Sequence, residues 1–143
     1  MTIKEWIIAF IKGKDAIKQQ LVSLNQGATI SAAYKDNKTQ EFFAKETLDD
    51  LHEVFAAAKK SDTDTLYSVH VACYNTEYNL KILVQRWKEC AVHQRLFFYF
   101  VNPDSQTEIK WVINPWLHSR VSDDKKLENG LKSLFSMVEE WKG

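Results

Sequence analysis

Glycine is scarce in this chain. The four present, Gly13, Gly27, Gly130 and Gly143, stand too far apart for any two to build a loop that cradles phosphate. P-loop and dinucleotide-binding fingerprints are therefore excluded. Gly-x-Ser-x-Gly elbows and His-Glu-x-x-His pairs are missing as well. Nothing in the motifs calls for a cofactor. Cysteine is limited to Cys73 and Cys90, which cannot make a disulfide framework, so a reducing, cytoplasmic setting is the expectation. Charge of one sign is also lacking: 19 basic side chains face 19 acidic ones. Duplex-binding proteins usually show a basic excess because phosphate neutralisation carries their affinity, so there is no strong nucleic-acid signal. The local asymmetry is small, with five Lys against eight acids over residues 35–65 and six Lys or Arg against four acids over 66–120. Long hydrophobic runs are absent too. The apolar stretch Trp6–Ile11 gives way at once to Lys12, Lys14 and Asp15, too short for a membrane span and without a small-residue cleavage site.

What is present is an aromatic-rich interior. Eight Phe, five Tyr and five Trp accompany a 45% hydrophobic fraction, enough to pack one core in a single globular domain over residues 1–143. Thr2-x-x-Glu5 has the spacing of a capping box. Ile3, Trp6, Ile7, Phe10, Ile11, Ile17, Leu21 and Leu24 then recur at helical spacing, so a first helix is expected up to a stop at Gly27. Strand-like segments 28–34 and 39–45 flank the polar turn 35–38. Thr47 with Asp50 is expected to cap a second helix carrying Leu48, Leu51, Val54, Phe55 and Ala58. Residues 66–74 alternate, with Tyr67, Val69, Val71 and Cys73 on one face and Ser68, His70 and Ala72 on the other. A third helix follows with Leu80, Leu83, Val84, Trp87, Cys90 and Ala91 on its apolar side. Residues 96–101 are apolar on both faces, as in an interior strand. A strand over 108–113 ends at Pro115, and a last helix opens near Ser122.

The predicted order is α-β-β-α-β-α-β-β-α: a mixed α/β (α+β) domain with one sheet of about five strands and four helices. The strand–helix–strand unit at 66–101 implies a parallel pair, and hairpins on either side make the sheet mixed. From the second strand onward the order resembles the thioredoxin-type topology. Its Cys-x-x-Cys motif is missing, so that active site does not carry over.

Three constellations bear on chemistry. His70-x-x-Cys73 and Cys90-x-x-His93 supply two nitrogen and two sulfur ligands, a set that suits structural zinc. On a strand, however, residues three apart face opposite sides unless a bulge intervenes. Pro103-Asp104 followed by Glu108-Ile109-Lys110 spells the residue types of a metal-dependent nuclease site, yet the three intervening residues fill only a hairpin turn. Asn114–Arg120 reads as a loop in which Trp116, Leu117, His118 and Arg120 place apolar, aromatic and cationic groups together, as binding hot spots do. The competing reading folds Trp116 and Leu117 back onto the core. With enzymatic signatures absent, the sequence points to a small binding or interaction module without catalytic activity. Its expected partner is a protein rather than a membrane, and a homodimer through an exposed sheet edge is a further arrangement.

Overall fold

A computed structural model describes all 143 residues. Helix α1 (Ile3–Lys18) begins where Thr2 accepts a hydrogen bond from the Glu5 amide at 3.1 Å. Three antiparallel strands follow: β1 (Leu21–Gln26), β2 (Ile30–Tyr34) and β3 (Thr39–Ala44). Helix α2 (His52–Ser61) leads to β4 (Tyr67–Tyr74), and α3 (Glu77–Gln85) with α4 (Trp87–Ala91) leads to β5 (Leu96–Val101). Strand β6 (Lys110–Ile113), α5 (Pro115–Val121), a 3₁₀ turn at Asp124–Lys126 and α6 (Leu127–Ser136) complete the chain.

The six strands form one mixed sheet in sequential order, β1 to β6. β3, β4 and β5 run parallel, while β1–β2, β2–β3 and β5–β6 pair antiparallel. The predicted mixed α/β class holds, and β4–β5 is the parallel pair expected around the crossover. The likeness to thioredoxin-type domains stays at the element string from β3 onward.

Four local expectations are corrected. First, α1 stops at Lys18 and residues 21–26 are a strand. Gln19 turns left-handed at φ 51°, and the Asp15 carboxylate receives the amides of Gln20 at 2.7 Å and Leu21 at 3.0 Å. A register shift between Leu21 and Ser23 puts Leu21 and Leu24 against the same core. A bulge thus reproduces the three-residue spacing that suggests a helix. Second, α2 starts at His52, because Thr47 bonds Asp49 and Asp50 receives the His52 amide, leaving Leu48 and Leu51 buried in a loop. Third, the single helix expected after residue 75 is interrupted at Arg86. Fourth, residues 115–121 are a helix and not a loop: Asn114 accepts from the Leu117 amide and Pro115 occupies the first turn, where its missing N–H costs nothing.

The sheet's two faces are covered unequally. Tyr67, Val69, Val71 and Cys73 face the larger core, built with side chains of α2, α3, α4 and α6. Ala72 and Tyr74 face the smaller core, where α1 contributes Ile3, Trp6, Ile7 and Ile11. α1 is the one helix on this side, and beyond Ile11 it buries no further residue. Ile17, at 94% exposure, lies wholly off the core. No helix is long and apolar enough to cross a membrane.

Candidate functional site

Where the packing of α1 runs out, a cavity of about 490 Å³ opens beneath its last turns, within the size range of small-molecule sites. Register fixes its floor. Gln40 of β3 lies beside Ser68 of β4; one step along, Phe42, His70 and Phe97 stand abreast on β3, β4 and β5. The floor therefore has a polar row at the strands' entry and the rings of His70 and Phe97 behind it, with Phe42 buried alongside and outside the lining. His70 is sandwiched between Phe42 and Phe97, with ring centroids 4.6 and 5.0 Å away and near-parallel planes.

His70 is buried and doubly partnered. Its Nε2 shares a hydrogen bond of 2.7 Å with the Ser68 hydroxyl, and its Nδ1 one of 2.9 Å with the Tyr99 hydroxyl. Burial, then the nearby Lys14 ammonium, pulls its pKa down to about 3, so the imidazole is neutral at pH 7. Ser68 and His70 have the spacing of a nucleophile and its base. An imidazole of lowered basicity is a weak proton acceptor. Beside them the Tyr34 hydroxyl donates to Gln40 Oε1 at 2.7 Å. Burial, then Asp15 and Asp36, raises the Tyr34 pKa, so this phenol too stays uncharged.

The walls are ionic. Lys14, Lys18, Lys38 and Arg95 line the cavity alongside Asp15 and Asp36. Both carboxylates already hold backbone: Asp15 closes α1, and Asp36 accepts from the Lys38 amide at 3.1 Å. Lys38 approaches Asp36 loosely at 3.8 Å, whereas Lys14, Lys18 and Arg95 make no salt bridge. Arg95 donates through Nη2 to the Ser61 carbonyl, and its buried Nε has no partner. An unpaired buried donor is costly unless something supplies an acceptor.

Of the residues singled out from the sequence, only His70 lines this cavity. His70 and Cys73 point to opposite faces of β4, Cys90 is buried in the larger core, and His93 pairs with Asp62 at 2.9 Å. No bulge brings the four together. Asp104 and Glu108 are exposed in the β5–β6 connection, while Lys110 leads back toward α1, with Nζ 5.6 Å from the Phe10 ring. No three His, Cys, Asp or Glu side chains converge in the fold. On α5, Arg120 lies over the half-buried Trp116 ring at 3.7 Å, His118 meets Trp87 edge-on at 5.5 Å, and Leu117 is 53% exposed. The cavity residues Lys14, Lys18, Tyr34, Lys38, Gln40, Ser68 and Arg95 went unmarked by any motif. The available signal was Ser68 and His70, two polar residues on the inner side of a strand otherwise apolar on both faces. Among known proteins, no family model, no curated protein and no solved structure matches the chain.

Proposed function

We propose that the chain is a small binding module without catalytic activity, whose site is the cavity under the end of α1. One observation carries this reading. The last two turns of α1 pack against no core, yet they are kept helical and closed by Asp15, and their side chains wall the cavity. A helix extension without packing gain is explained by what it encloses. The floor adds what a recognition site needs: an aromatic surface with a few fixed polar groups. Two buried, unpaired cysteines agree with a reducing cytoplasmic setting.

The test is an amide NMR titration with a set of small neutral aromatic fragments. Shifts gathered at Gln40, Ser68, His70 and Phe97 support the cavity as the site. Fragments that leave these amides unmoved and shift others overturn it.

A second reading keeps the module but moves its surface to α5 and gives it a protein partner. Its support is the exposed Leu117 and Val121, one helical turn apart, next to the Arg120–Trp116 pair. Exposed apolar groups beside Trp and Arg have the composition of an interface anchor.

A further inference from the structure

We propose that the cavity's ligand is a phosphate monoester carrying one flat ring, a claim that rests on the cavity being the binding site. Charge is the first ground. Four cationic side chains line the space against two carboxylates, and those two are already engaged by backbone amides. Lys14 and Lys18 sit one turn apart on α1 without an acidic partner, and the Arg95 guanidinium has none either. Mobile ammonium groups on long stems suit a compact dianion, and a guanidinium supplies fixed donors to its oxygens.

The second ground is the orphaned Nε of Arg95, a buried donor with no acceptor in the protein. The side chain that carries it borders the cavity. The third is the division of the floor. Arg95 immediately precedes β5, and its carbonyl accepts from the Val69 amide, which puts it at the polar end occupied by Gln40 and Ser68. Phe97 lies one step inward, next to the His70 ring. A ligand with its anion at the strand entry sets its ring over that aromatic row, where stacking needs no charge. His70 remains neutral and takes no part in the charge balance.

The experiment compares charged probes with their neutral counterparts: phenyl phosphate with phenol, and adenosine monophosphate with adenosine, each titrated by calorimetry and amide NMR. The expected result is that at least one phosphate binds ten-fold or more tightly than its neutral counterpart, with shifts at Ser68 and Phe97. Added salt weakens that binding, and a Lys14→Glu, Lys38→Glu double variant reduces it at least ten-fold. Circular dichroism on the variant checks that it folds. If neither phosphate outbinds its neutral counterpart, the proposal is overturned. The cavity reading then stands or falls separately, on whether neutral fragments shift the same amides. Phosphate binding that survives both salt and the double charge reversal overturns the proposal as well.

Discussion

The Trp111 indole Nε1 donates a hydrogen bond of 2.7 Å to Asn75 Oδ1 at the end of β4. The same asparagine, fully buried, directs its Nδ2 at the carbonyls of Phe135, Val138 and Glu139, at 3.3, 3.1 and 3.3 Å. One side chain thus ties β6 to the last turn of α6 and to the segment just beyond it. Asn75→Ala strands the indole N–H and the Val138 carbonyl, whereas the Phe135 and Glu139 carbonyls keep bonds from the Val138 amide and Asn102. The expected loss is about 3 kcal/mol, since each buried unpaired group costs roughly 1–3 kcal/mol. Asn102→Ala removes a bond to the Glu139 carbonyl, which Asn75 also serves, and one from the amide of the exposed Asp104, and is expected to cost about 1 kcal/mol. Urea unfolding of both variants checks the order; equal losses would contradict it.

His70 makes stability depend on pH. Its folded pKa of about 3 lies below the usual histidine value of 6.5, because burial and Lys14 disfavour the imidazolium. Between those two values the unfolded chain binds a proton that the folded chain refuses, so stability falls as pH falls through that window. The contribution is roughly 1.4 kcal/mol per pH unit. His70→Gln keeps hydrogen-bonding groups but does not titrate. Its unfolding free energy between pH 6 and pH 4 should decline less steeply than that of the parent by about that slope. Parallel pH profiles for the two proteins would show that His70 is not the titrating group.

Sequence periodicity revealed the mixed class, the β2–β3 hairpin, both faces of β4 and the buried β5, because each depends on local alternation. It failed where spacing is ambiguous. Leu21 and Leu24 are three apart, which fits a helix, and only the bulge opposite β2 makes them strand neighbours. Pro115 ends one element and begins the next, and proline chemistry alone suits both roles. The cavity was hidden for a different reason. Its lining comes from α1, the β2–β3 turn and the entries of β4 and β5, which only the sheet register brings together. His70 was visible as a possible ligand; its partner Tyr99 lies 29 residues away and no motif links them.

Both cysteines should be inert in the folded protein. Burial raises the Cys73 pKa well above the ordinary thiol range and the Cys90 pKa to about 12. The thiolate is the reactive form. Ellman's reagent at pH 8 is therefore expected to modify neither thiol in native buffer and both in concentrated guanidinium. A prompt native reaction of one thiol would place that cysteine in an accessible setting.

Gly13 lies in α1 between the core-packed turns and the turns that wall the cavity. A Cβ there meets nothing within 4 Å, and the residue lies inside α1 with ordinary helical φ. Gly13→Ala should stabilise the protein by about 0.5–1 kcal/mol, since alanine loses less backbone entropy in a helix. Thermal unfolding gives the sign. Ligand affinity measured on the same variant then shows whether the overhanging turns must flex to admit what they cover.

The α5 surface makes a prediction that separates the two sites. Arg120 Nη1 donates to the Trp116 carbonyl at 2.9 Å while its guanidinium covers the indole face, so either truncation exposes the other group. Trp116 is only half-buried and Trp87 is held independently by Ser119 at 2.8 Å, so the fold should survive both changes. Trp116→Ala and Arg120→Ala are expected to lower stability by about 1 kcal/mol or less and to leave cavity binding unchanged. Should α5 instead be the anchor of a protein interface, each would weaken that complex by about 2 kcal/mol or more, the scale of hot-spot residues. Calorimetry on the cavity ligand and affinity capture of protein partners, run on the same two variants, read the two surfaces independently.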